Sequence, residues 1–120
     1  MAHKFVLLMS KKYAYPSKER PVGQLILGNV GYHRELARDG YFVCGGGCWD
    51  IDDEKKTITL DDYSADFGEA QFADRDWQYI ECDSDFEGYK VTYQYPHFCL
   101  SPSEHEGELV DVTPLLKYCL

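Results

Sequence analysis

Apolar and polar positions alternate in two short runs near the middle of the chain. Trp49, Ile51, Ile58 and Leu60 fall on one face, and Asp50, Asp52, Thr57 and Thr59 on the other. A period of two marks half-buried strands, so the pattern predicts a hairpin turning through Asp52-Asp53-Glu54-Lys55-Lys56. Upstream, Lys4-Phe5-Val6-Leu7-Leu8-Met9 is apolar on both faces and predicts a central strand. Gln24-Leu25-Ile26-Leu27 predicts a short strand stopped by Gly28, and Tyr89 to Tyr95 alternates strictly before Pro96 ends it. Residues 29–40 carry Asn29 as a cap, Gly40 as a stop, and His33, Leu36 and Ala37 on one face, which predicts a short helix. Residues 69–81 place Phe72, Ala73, Trp77 and Ile80 at helical spacing and predict a second. Residues 10–21 read as loop, residues 109–112 as an edge strand and residues 114–118 as a last helical turn.

Two stretches fit neither pattern. Gly45, Gly46 and Gly47 lie inside strand-like sequence, which points to a bulge or to a close approach of backbone to another group. The loop Tyr63-Ser64-Ala65-Asp66-Phe67-Gly68 leaves a strand with small and polar residues and then opens the second predicted helix. Backbone N–H groups in such a loop can hold an anion. His33, in the first turn of the other helix, would sit near the positive end of its dipole, which favours a neutral imidazole and a nearby anion.

Composition narrows the possibilities. The 120 residues make one domain with enough apolar and aromatic content for a core without disulfides. A formal charge of −9 argues against a nucleic-acid surface, which needs clustered cations. No run has the length of a membrane span, and the first residues lack the pattern of a secretion signal, so a cytoplasmic location is expected; separately, a monomer is expected. The five cysteines then read as free thiols. Cys44 and Cys48 could join Cys82 or His97 around zinc, but no paired Cys-x-x-Cys spacing supports this, and no metal or other cofactor is expected.

Taken in order, these residues resemble the Janus/Ocnus family of phosphohistidine phosphatase-like proteins. The matching positions are Lys4-Phe5-Val6-Leu7, Tyr32-His33-Arg34-Glu35-Leu36, Gly45-Gly46-Gly47, Lys55-Lys56-Thr57-Ile58, Tyr63 to Gln71, and Tyr89-Lys90-Val91-Thr92. The resemblance runs from residue 4 to about residue 95 and leaves 96–120 uncovered. It departs from the family at Cys48, where the family has an arginine, and at Asp66, where the family's loop has a small residue.

The resemblance implies a small α+β domain, with one mixed β-sheet and two main helices packed on it. It also implies metal-independent hydrolysis of the P–N bond of phosphohistidine. By analogy, Lys4 neutralises the phosphoryl charge, while Ser64 and the N–H groups of Ala65 and Asp66 hold its oxygens. His33 activates water or attacks phosphorus itself. The expected partner is a phosphorylated protein or a small phosphoramidate. Two other readings stay open. One is a non-catalytic anion- or protein-binding module that keeps the fold; the other is a thiol enzyme using Cys44 or Cys48.

Overall fold

Phe5, Val6, Leu7 and Leu8 are all fully buried, so the strand that carries them needs cover on both faces and a partner on both edges. In the computed structural model, which describes residues 2–11, 23–72, 80–82, 86–96 and 106–118, that strand is β1 (Ala2–Ser10). It lies between β2 (Gly23–Val30) and β3 (Tyr41–Asp52), antiparallel to both. β3 turns into β4 (Thr57–Asp61), where Asp52 Oδ1 accepts from the N–H groups of Glu54 and Lys55 and so closes the hairpin. The remaining strands are β5 (Ile80–Cys82), β6 (Lys90–Gln94), β7 (Leu109–Asp111) and β8 (Leu116–Tyr118). Together they form one mixed eight-stranded sheet in the order β7-β6-β4-β3-β1-β2-β5-β8. The β2–β5, β5–β8 and β4–β6 pairs are parallel.

The sheet separates two cores. The larger gathers Phe5, Leu7, Leu25, Ile58, Leu60 and Tyr93 with their neighbours; the smaller is Val6, Leu8 and Ile26, with Leu36, Tyr41 and Val43 packed against it. Truncating a buried leucine such as Leu7 to alanine would cost about 2–5 kcal/mol. The two apolar faces of β1 thus serve different cores. One irregularity sets which β3 residue meets which core. Val6 pairs with Gly46 but Leu8 pairs with Val43, so β3 holds one residue more than β1 across that interval. The extra residue is accommodated at Gly45, whose φ of 95° is disfavoured for residues with a Cβ. In consequence Cys44 packs into the larger core and Val43 against the smaller.

The two-helix α+β expectation is overturned. Among the described residues the longest helical segment is the four-residue 3-10 turn His33–Leu36, and the other is Thr113–Leu115. Residues 29–40 do not form the first helix because β2 continues through Gly28 to Val30, pairing with β1 over eight residue pairs. What remains before Gly40 is too short for helix propagation to repay nucleation, and the chain is already extended at Ala37 (φ −66°, ψ 146°). Gly28 does not stop β2; it makes room there, since a Cβ at that position would run into the Leu36 side chain. The second predicted helix fails at both ends. Gly46 bridges to Glu69 and the Gln71 N–H donates to the Cys44 carbonyl at 3.1 Å, while Ile80 to Cys82 is strand. Residues 73–79 lie outside the described residues. The last predicted helical turn is the 3-10 turn Thr113–Leu115 followed by β8.

Candidate functional site

Lys4 alternates with Val6 and Leu8, which puts it on the smaller-core side of the sheet, paired across to Cys48 of β3. His33 opens the 3-10 turn on the same side. A carboxylate oxygen of Glu35 accepts from the Tyr32 N–H at 2.8 Å and fixes the start of that turn. The imidazole is turned inward and only 7% exposed. Its Nε2 lies 2.7 Å from the Gly47 carbonyl oxygen, and because a carbonyl can only accept, Nε2 carries the proton. In the neutral ring Nδ1 then keeps its lone pair. The ring rests over Gly46, where a Cβ would stand 3.1 Å from His33 Cδ2 and would also run into the Phe5 carbonyl. The glycines therefore provide both a bulge and a seat for the histidine.

The loop after β4 approaches from the other side. Asp62 begins it in the left-handed region (φ 65°), which a short polar side chain tolerates. Ser64 and Gly68 exchange backbone hydrogen bonds of 3.0 and 2.8 Å, closing the loop on itself. The Ser64 side chain is fully buried, and its Oγ accepts from the N–H groups of Asp66 at 3.2 Å and Phe67 at 3.1 Å. The Gly46 N–H donates to the Gly68 carbonyl at 3.1 Å and ties this loop to the glycine strand.

Between turn and loop lies a cleft of about 500 Å³. Lys4, His33, Ala65 and Asp66 line it, so four of the five residues singled out from sequence converge there. Ser64 does not: it is turned into the loop, which its hydroxyl holds in shape. The Asp66 N–H, expected to face an anion, is directed to Ser64 instead. Sequence reading named Tyr32, Arg34 and Tyr63 only within the matching stretches and Cys48 only as a thiol or zinc candidate, and missed Gly31 and Asp62 as lining residues. The positions flanking His33 were the available signal for Tyr32 and Arg34, since one tight turn presents several neighbours at its rim. Arg34 is exposed and stacks its guanidinium over the Tyr32 ring, 4.4 Å from the centroid.

Charges in the cleft are mixed, with Lys4 and Arg34 against Asp62 and Asp66. Partial burial, then the Asp62 and Asp50 carboxylates, push the Asp61 carboxyl above its ordinary range at the end of β4. Partial burial, then Asp62, also pushes the Cys48 thiol up, and its Sγ lies 3.9 Å from Asp62 Oδ2. A thiol nucleophile needs the opposite shift. Cys44 packs into the larger core while Cys48 faces the cleft, so the two do not converge on one ion. Among the described residues no three histidines, cysteines or carboxylates gather as a metal site, and no helix is long and apolar enough to cross a membrane. His97 lies outside the described residues, as does the Cys82 side chain. No family model, curated protein or solved structure matches the chain.

Proposed function

We propose that the chain is a metal-independent hydrolase of phosphoramidate P–N bonds, acting on a phosphohistidine-bearing protein or a small phosphoramidate. The observation that carries this reading is the His33 imidazole, with Nε2–H fixed on the Gly47 carbonyl in a cleft that also presents Lys4 and Ala65. A phosphoryl transfer needs neutralised charge, held oxygens and a placed water. Lys4 supplies the first, and the Ala65 N–H is the loop donor suited to the second. His33 Nδ1 accepts a proton from water as the water oxygen bonds to phosphorus. The P–N bond breaks, the departing nitrogen takes up a proton from solvent, and orthophosphate and the free amine or imidazole leave. The Gly47 contact presents the Nδ1 lone pair to water before the transfer and holds the imidazolium after it, which then returns the proton to solvent.

The test is to follow phosphoramidate and a phosphohistidine peptide by phosphorus NMR. Orthophosphate should accumulate with the native chain, and His33→Ala should lower the rate about 10²–10⁴-fold while keeping the folded proton spectrum. A phosphoryl adduct trapped on His33 would assign direct attack by Nδ1 in place of water activation. No orthophosphate from either compound would end the hydrolase reading. A second reading, a non-catalytic module binding an anion, draws on the Ser64 hydroxyl and the Asp66 N–H being occupied with each other. It expects phosphate to shift the Lys4 and Ala65 signals without turnover.

A further inference from the structure

The cleft holds a second cation, to which the sequence assigned no role. Arg34 follows His33 directly on the 3-10 turn and lines the same cleft as Lys4. Its guanidinium stacks over the Tyr32 ring at 4.4 Å, and the Glu35 carboxylate accepts from the Tyr32 backbone N–H at 2.8 Å, which holds the backbone at the start of the turn. Stacking of this kind orders a long side chain before any ligand arrives, which reduces the entropy lost on binding. Guanidinium is planar, always charged, and presents paired N–H donors that match two phosphoryl oxygens; ammonium acts as a point charge. One lysine and one backbone N–H neutralise a terminal phosphoryl dianion only in part, and Asp62 and Asp66 work against them.

We propose that Arg34 is a phosphoryl-binding residue of this cleft, gripping two oxygens of a terminal phosphoryl group alongside Lys4, with Tyr32 as the residue that positions it. The inference rests on the cleft being the phosphoryl site of the proposed hydrolase. Its test, however, is read by binding and does not depend on turnover. A terminal phosphoryl group offers the paired oxygens together with two negative charges. A phosphodiester has one charge and a second substituent, so the site should favour monosubstituted phosphate over a diester.

The experiment titrates inorganic phosphate, and separately dimethyl phosphate, into the native chain and its variants, following backbone and arginine side-chain N–H signals. Phosphate should shift the Arg34 Nε–H and Lys4 signals together, and dimethyl phosphate should bind at least about tenfold more weakly. Arg34→Ala should weaken phosphate binding about tenfold or more. Arg34→Lys should recover only part of that, because the charge returns without the paired donors. Tyr32→Leu should produce a smaller loss of the same kind with the Arg34 charge intact. Equal phosphate affinity in Arg34→Ala and the native chain overturns the proposal, as does full recovery by Arg34→Lys or phosphate failing to bind the native chain. Arg34-dependent binding without P–N hydrolysis would support the proposal while the hydrolase reading fails. Hydrolysis unchanged in KM and kcat by Arg34→Ala would do the reverse.

Discussion

Burial and the Asp62 carboxylate act together on the Cys48 thiol, and the Lys4 ammonium opposes them without winning. A thiol held above its ordinary value of about 8.5 stays protonated at neutral pH, and only the thiolate reacts with alkylating reagents. Iodoacetamide at pH 7.5 should therefore modify Cys48 more slowly than free cysteine, with the rate still rising as pH passes 9. Asp62→Asn removes a negative neighbour, lowers the thiol's pKa and should speed the reaction several-fold at pH 7.5. Fragment-ion mass spectrometry would separate Cys48 from the buried Cys44 on the same peptide. An unchanged rate in Asp62→Asn would mean that burial and the remaining Asp61 charge set the thiol. At this scale Lys4 and His33 were legible, Lys4 as a charge at the start of an apolar strand and His33 through the stretch Tyr32 to Leu36 that resembles the family's. Asp62 and Arg34 were not. An aspartate in a turn and an arginine on a helical segment are ordinary surface residues until the fold brings them to one cleft.

Among the elements, the 3-10 turn depends on Gly46 as much as on its own residues. Gly46→Ala would drive a methyl into the Phe5 carbonyl and against the His33 ring. It should destabilise the chain by about 1–3 kcal/mol and shift the His33 imidazole signals. Gly40→Ala serves as the contrast: that glycine has a φ of 86° but open space around its Cβ position. Its cost should be about 1 kcal/mol of backbone strain, with the imidazole signals unmoved. Denaturant midpoints together with proton–nitrogen spectra of the ring would check both. The strands over residues 4–9, 49–60 and 89–95 were legible because a period of two, or continuous apolarity, is a local signal. The expected helix over 29–40 had a plausible cap and stop, but those signals are weak beside eight pairs formed with a strand some twenty residues away. A pairing of that kind leaves no mark in the local pattern.

At the scale of the whole molecule, charge and architecture pull against each other. A net charge of −9 on a chain of 120 residues favours solubility but repels itself in the compact state. Raising sodium chloride from about 10 to 150 mM shortens the Debye length from roughly 30 to 8 Å and should raise the melting temperature by a few degrees. Scanning calorimetry across that range would detect it; a flat response would mean that local pairing already offsets the repulsion.

The two-faced sheet also has a consequence for how the chain can change over generations. Phe5, Leu7 and Tyr93 belong to the larger core, whereas Lys4, Arg34 and Asp66 line a cleft on the opposite side. A lineage selected only to stay folded would keep the first set and let the second drift. A lineage selected for chemistry could rewrite much of the cleft residue by residue, because the larger of the two cores lies on the other side of the sheet and only the smaller one shares the cleft's side.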